Sequence, residues 1–126
     1  GILRSRDGLR SALTALGDFR AELHETGLAD GDRAFNLTWH DWMNLESQID
    51  TSAVIATAAL GREDSRGAHF REDFPETGAL EETAFTRITQ SDAGLALEMV
   101  PVDFSIVAPG QSLIEDEAGA PPSAAE

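Results

Sequence analysis

Apolar residues recur at helical spacing in the first part of the chain. They are Leu9, Leu13, Leu16, Phe19 and Leu23. Steps of three and four place them on one face of an α-helix, so the pattern predicts an amphipathic first helix. Ser5 can accept a hydrogen bond from the first turn, and Asp7 suits the positive end of a helix. Gly27 predicts its end, because glycine adopts the left-handed conformation that commonly terminates helices.

A second stretch with the same periodicity predicts a longer helix that begins at Thr38. The Thr38 hydroxyl can cap the first turn, and the Asp41 side chain, three residues on, can accept from the Thr38 N–H as in a capping box. The apolar positions are Trp42, Leu45, Ile49, Ala53, Ala56 and Leu60. Two long helices joined by the polar connection 28–35 are expected to pack antiparallel. Each is amphipathic, so two helices alone leave a thin core and need a third layer.

The third layer is predicted from two alternating segments, 84–90 and 95–104, which flank the turn Ser91–Gly94. Such segments around a glycine-containing turn predict a β-hairpin, with Pro101 at an edge because proline donates no ladder hydrogen bond. We therefore expect a mainly α fold: a bundle of two to three helices, two of them long and antiparallel, with a short β-hairpin packed on it. The acidic, Pro- and Ala-containing residues 108–126 predict a flexible tail.

Composition narrows the possible functions. The net charge of −14 excludes a typical nucleic-acid binder, which needs a basic face for phosphates. There is no cysteine, hence no disulfide and no thiolate chemistry, and an intracellular, cytoplasmic protein is expected. The longest apolar run is far shorter than a bilayer span, so no direct membrane insertion is expected. All nine cationic residues are arginines, which suits either a genomic bias or a use for bidentate donors.

The sequence contains no self-sufficient active site. His24, His40 and His69 do not share a helix at ligand spacing, so no metal site is predicted. Ser65 and His69 lack a nucleophile elbow, and the chain has no glycine-rich phosphate cradle. No catalytic residue is therefore assigned. Trp42 is expected in the core, whereas Trp39 lies off the apolar stripe and is a candidate for an interface.

The segment Arg62–Pro75 is the richest in chemistry. It combines arginines, acids and a histidine with Gly67, and it follows an apolar run of the second helix. One interpretation is a charged helix end followed by a solvated linker. The alternative is an ordered loop that docks a partner through specific ion pairs, because Gly67 and Pro75 restrict the backbone and arginine forks recognise carboxylates.

This segment resembles a signature of the flavoprotein subunit of succinate dehydrogenase and fumarate reductase. The usual form is Arg-x-Glu-Ser-Arg-Gly-Ala-His-x-Arg-x-Asp-x-Pro, and this chain has Asp64 in place of the glutamate. Residues 1–9 resemble the start of that family's C-terminal helical domain, and 97–102 resemble its late strand. The resemblance covers about residues 1–107, which we take as the domain. The residues after Pro75 depart from the form common in respiratory complexes. L-aspartate oxidase is the second choice and adenylylsulfate reductase the third.

The resemblance implies that cofactor binding and catalysis belong to other domains than this one. FAD, the dicarboxylate-binding groups and the catalytic arginine belong to FAD-binding and capping domains outside this chain, which is expected to bind no cofactor and to be inactive by itself. The motif residues would dock it on those domains. They are Arg62, Ser65, Arg66, Gly67, His69, Arg71 and Asp73. An iron–sulfur subunit, and through it peripheral association with the inner membrane, is a further expected partner. Because the chain starts at Gly1, a fragment is expected; a free-standing interaction module is the alternative.

Overall fold

A computed structural model describes residues 3–111 of the chain. The order of elements is β1 (Leu3–Arg4), α1 (Arg6–Thr26), α2 (Leu37–Gly61), β2 (Phe70–Arg71), β3 (Ala84–Ser91) and β4 (Gly94–Pro101). The two long helices pack against each other, and β3 and β4 form a hairpin against α2. The predicted fold class is therefore confirmed. Residues 112–126, which hold most of the predicted tail, lie outside the described residues, and the domain boundary at 107 stays a prediction.

Helix α1 begins and ends where the sequence indicated. The Ser5 hydroxyl accepts a hydrogen bond from the Gly8 N–H, and Asp7 lies in the first turn. Gly27 ends the helix with φ of 63° and ψ of −153°, which is not the left-handed helical conformation but another positive-φ conformation that glycine adopts readily. Its N–H donates to the Leu23 carbonyl.

The predicted start of α2 was one residue late, and its predicted cap, Thr38, was two residues away from the observed one. The helix begins at Leu37, and Asn36 caps it: its Oδ1 accepts from the Trp39 N–H at 2.8 Å. Asparagine is at least as good a cap as threonine, and the Asn36 side-chain amide also donates to the carbonyls of Asp30 and Asp32. Thr38 consequently lies inside the first turn.

The interface between the helices is thin, as the sequence predicted. The buried apolar side chains among the described residues all lie on α2: Ile49, Ala56 and Ala59. No residue of α1 is buried, and Phe19 is 56% exposed. Trp42 lies only partly in the core, where its indole N–H donates to the Leu23 carbonyl and His24 contacts it edge-on. Trp39 is 51% exposed, on the surface, as expected for an interface candidate.

The hairpin supplies the third layer on one side of α2 only. Strands β3 and β4 pair antiparallel from Ala84↔Pro101 to Ser91↔Gly94, so Asp92 and Ala93 form the turn. The second strand ends at Pro101, earlier than predicted. Gly61 at the end of α2 lets the hairpin approach, because a β-carbon there would lie 2.2 Å from Leu97 Cδ1.

A small parallel sheet joins the beginning of the chain to its middle, and the sequence did not predict it. Leu3 pairs with Phe70 and Arg4 with Arg71. The Glu72 N–H extends this pairing by donating to the Arg4 carbonyl at 2.8 Å. The segment that precedes α1 is thereby fixed against residues 62–75. No helix within residues 3–111 has the combination of length and apolar character that a membrane crossing requires.

Candidate functional site

Residues 62–75, which we call the motif loop, form an ordered structure rather than a solvated linker. The backbone of Arg66 and that of His69 exchange two hydrogen bonds, at 2.9 and 3.0 Å, around a tight turn. Gly67 occupies the turn with φ of 55°, a conformation that a side chain would strain. The turn leads directly into β2.

Ser65 fixes the base of the motif loop. Its hydroxyl accepts from the Arg71 N–H at 2.8 Å and donates to the Phe74 carbonyl at 2.7 Å. Its own N–H donates to the Glu76 carbonyl. One hydroxyl therefore links residues six and nine positions away in sequence, and it serves a structural purpose in this geometry.

Arg71 is completely buried and caps the carboxyl end of α2. Its Nη1 donates to the carbonyls of Ala59, Leu60 and Arg62 at 2.8, 3.0 and 3.1 Å. The last carbonyls of a helix have no partner within the helix and carry its negative dipole end, so a guanidinium satisfies both needs. The Phe74 ring lies 5.0 Å from the guanidinium carbon.

Asp73 completes the pair and extends it to the other helix. Its two carboxylate oxygens accept from Arg71 Nε and Nη2 at 2.8 and 2.7 Å, a bidentate ion pair. The same carboxylate accepts from the Arg6 N–H, the first of α1, at 3.1 Å. The hydrogen bond from Arg71 holds the pKa of Asp73 far below its usual value, and the Asp73 carboxylate raises the pKa of Arg71. The pair thus joins the carboxyl end of α2 to the amino end of α1.

Arg62 and Arg66 hold the motif loop to the hairpin. Arg62 pairs with Asp64 and donates from Nη1 to the Ala84 carbonyl at 3.1 Å. Arg66 donates to the carbonyls of Thr77 and Ala79 and to the Thr83 hydroxyl, and so fixes the connection to β3.

His69 and Arg4 of β1 lie next to each other in the lining of a cleft of about 530 Å³. His69 Nδ1 and Arg4 Nη1 are 3.4 Å apart, and Arg4 Nη1 donates to the Ala68 carbonyl at 3.0 Å. Burial lowers the pKa of His69 below 6.5, and the charges of Arg4 and Arg62 lower it further. The imidazole is therefore neutral at neutral pH.

The seven predicted docking residues come together in one loop, but they do not share one exposure. Arg71 is buried and the side chains of Arg62 and Arg66 are 20% and 18% exposed, each hydrogen-bonded within the described residues. Of the seven, Gly67 and Asp73 are exposed, and so are Ala68 and Phe70 beside the turn. The sequence missed Arg4, Leu3 and Phe70; the parallel register of β1 and β2 brings them to the loop, and no local pattern signals such a pairing.

The residues present do not fit FAD. The arginines of the motif loop are hydrogen-bonded to the protein itself, and the described residues offer no glycine-rich turn before a helix to cradle a diphosphate. Residues 3–111 also hold no group of three or more histidine or acidic side chains placed to bind a metal ion. We assign no catalytic step to this part of the chain.

Comparison with known proteins gives a consistent result. The family described as "Fumarate reductase flavoprotein C-term" matches residues 1–114. A subunit of the fumarate reductase (CoM/CoB) of Methanothermobacter marburgensis is 37% identical over 76 residues, which are 60% of this chain and 14% of that protein. A fumarate reductase flavoprotein subunit from Mycobacterium tuberculosis is 30% identical over 112 residues, 88% of this chain and 19% of that protein. An L-aspartate oxidase from Rhodospirillum rubrum is 36% identical over 77 residues, 61% and 22% of the two chains.

Solved structures show the same fold. FrdA in a mutant quinol fumarate reductase of E. coli superposes with a TM-score of 0.79 at 22% identity, covering 88% of this chain and 20% of its own. Sdh1 of Mycobacterium smegmatis gives a TM-score of 0.63 at 29% identity, covering 80% and 17%. The chain therefore spans about a fifth or less of the length of these relatives.

Proposed function

The chain belongs to the family of fumarate reductase flavoprotein C-terminal domains, and we propose that it packs on the flavin-binding part of a longer FAD-dependent oxidoreductase. The whole protein would move a hydride between a dicarboxylate and FAD. This domain contributes structure, since the arginines of the motif loop are hydrogen-bonded within the domain, and it does not catalyse the reaction by itself.

One observation carries the proposal. Leu3 and Phe70 are register partners in the β1–β2 pair, and they are 63% and 37% exposed. A large apolar pair on a backbone that the Arg71–Asp73 network already fixes is a preorganised contact surface, because little conformational entropy is lost when a partner covers it. It lies on β1, the strand through which preceding domains would connect to α1.

The experiment uses the longer polypeptide with a protease site placed before Gly1. After cleavage the two pieces should stay together on size-exclusion chromatography, with absorbance near 450 nm on the preceding piece. The released 126-residue chain should show no flavin absorbance and no succinate or fumarate turnover. Phe70→Ser should weaken re-association about tenfold, a loss of about 1.4 kcal/mol.

Phe35→Ser is the matched control, because Phe35 is fully exposed in the connection between the helices, far along the chain from β1. It should leave the association unchanged. Pieces that separate on cleavage, or a released chain that is yellow and active, would refute the proposal.

A second candidate is the C-terminal domain of an L-aspartate oxidase, favoured by the match to the enzyme of Rhodospirillum rubrum. The complete enzyme distinguishes the two by its substrate: oxidation of L-aspartate against turnover of succinate or fumarate. The structural neighbours come from a quinol fumarate reductase and from Sdh1 in complex with UQ1, which supports partner subunits of the whole protein in general. We propose that these include an iron–sulfur subunit and that the whole protein attaches peripherally to the inner membrane, which co-purification from membranes would test. A free-standing interaction module is the remaining alternative, and a gene product with no flavin domain would favour it.

A further inference from the structure

A cationic cleft is lined in part by Arg4 and His69, the sequence neighbours of Leu3 and Phe70. Three arginines line it, Arg4, Arg62 and Arg66, together with the neutral His69. Asp64 pairs with both Arg62 and Arg66, so the arginines exceed the nearby carboxylate by two charges. A local excess of positive charge is unusual on a chain with a net charge of −14, and it selects for an anionic partner group.

Of the three arginines in the cleft, Arg4 has unbonded donors within the described residues. Its Nη1 is used by the Ala68 carbonyl, whereas its Nε and Nη2 have no hydrogen-bond partner within residues 3–111. Arg62 and Arg66, by contrast, use all three guanidinium nitrogens. One free edge of a guanidinium fits the two oxygens of a carboxylate.

Other residues that line the cleft are apolar. Ile55 of α2 is 61% exposed there, next to Ala58 and the buried Ala59. An occupant that is complementary to both the arginines and the apolar residues carries a carboxylate beside an aliphatic or aromatic side chain. A protein segment meets this requirement better than a small inorganic anion does.

We propose that this cleft receives a carboxylate side chain from the preceding part of the longer polypeptide, with the Arg4 guanidinium as its fork. The inference rests on the proposed function and adds its chemistry. Arg4 belongs to β1, and this strand would be continuous in sequence with that preceding part. The residue before Arg4 in the strand is Leu3, which belongs to the proposed contact surface. The negative charge of the rest of this chain disfavours a second copy as the occupant.

The test uses the cleavable polypeptide described above. Arg4→Gln removes the charge and should weaken re-association of the cleaved pieces at least tenfold, and it should reduce the sensitivity of that association to NaCl. Arg10→Gln, the same change on α1 outside the cleft, should have no effect. Because Arg4 also bonds Ala68, Ile55→Asp serves as a second variant: it leaves the Arg4 hydrogen bonds intact and should weaken association by placing like charge in the cleft.

The outcomes of this test distinguish the cleft inference from the proposed function. If the pieces associate and Arg4→Gln and Ile55→Asp behave like Arg10→Gln, the cleft inference is wrong while the proposed function stands. If the pieces do not associate at all, both are wrong. If the released chain forms a dimer that Arg4→Gln abolishes, the occupant is a second copy and the inference is overturned.

Discussion

The two ends of the helix pair are held together in opposite ways. At the connection between α1 and α2, the side-chain hydrogen bonds are local: Asp30 accepts from the Asp32 N–H, and Asn36 bonds residues no more than six positions away. At the other end, Asp73 bonds the Arg6 N–H across 67 residues of sequence, and Arg71 is fully buried.

The contrast extends to exposure and strain. Phe35 in the connection has a φ of 57° and a fully exposed ring, whereas the motif loop buries an arginine with every polar atom satisfied among the described residues. Removing a side chain from the connection between α1 and α2 should therefore reduce stability only slightly. The end that holds the motif loop depends on the Arg71–Asp73 ion pair, which bonds the carboxyl end of α2 and the amino end of α1. Helix ends that are buried without hydrogen-bond partners are destabilising.

The largest expected effect is that of Arg71→Ala. It leaves three carbonyls at the end of α2 without their donor and breaks the pair with Asp73, whose side chain is 29% exposed; a buried acceptor left without a partner typically costs about 1–3 kcal/mol. Urea denaturation followed by helical circular dichroism measures it. Arg87→Ala is the matched control: the side chains of its pair with Glu98 are 59% exposed, so the loss should be below about 1 kcal/mol. Equal losses would remove the contrast between the ends.

The next effect is on stability in acid. Arg71 lowers the pKa of Asp73 below its unfolded value of 3.8. As the pH falls, the Asp73 carboxylate is therefore protonated in the unfolded chain before it is protonated in the folded chain. The stabilisation is complete above that pH and is lost as the pH falls below about 4. The lowered pKa of His69 has the same sign, with its loss beginning below pH 6.5. Urea midpoints from pH 7 to 3 should show both steps.

Variants separate these two steps. Asp73→Asn should abolish the step near pH 4, with Asp92→Asn in the hairpin turn as control. His69→Asn should abolish the step that begins near pH 6.5. A chain whose acid profile is unchanged by Asp73→Asn would show that the ion pair at this end contributes no more than a surface contact.

The smallest effect is expected at the connection. Asn36→Ala removes a helix cap and should cost about 1 kcal/mol. Thr38→Ala tests the alternative cap and should cost less, since Thr38 lies within the first turn and makes no side-chain hydrogen bond among the described residues. Thermal unfolding of the two variants side by side measures the difference. A larger loss for Thr38→Ala would restore the start of α2 at Thr38.

The sequence determined the two long helices and the β3–β4 hairpin of this protein, but not the short β1–β2 sheet. Helical spacing from Leu9 to Leu23, Gly27 as a stop and the turn at Ser91–Gly94 each act over a few residues, and the structure confirms all three. The start of α2 was missed because Asn36 and Thr38 are both good caps, and the turn formed by Asp30 and Asp32 decides between them. The charge of the motif loop was evident in the sequence, as was the resemblance it carries.

Only the tertiary structure decided what those charges do. Whether an arginine is buried against a helix end or free to meet a partner depends on which backbone carbonyls lie near it, and sequence spacing does not contain that information. The β1–β2 pairing and the antiparallel helices bring Asp73 to the amino end of α1 and Arg71 to the carboxyl end of α2. The same packing leaves Arg4, which the sequence did not single out as a site residue, with two guanidinium nitrogens that are unbonded within residues 3–111, whereas Arg62 and Arg66 of the same cleft use all of theirs.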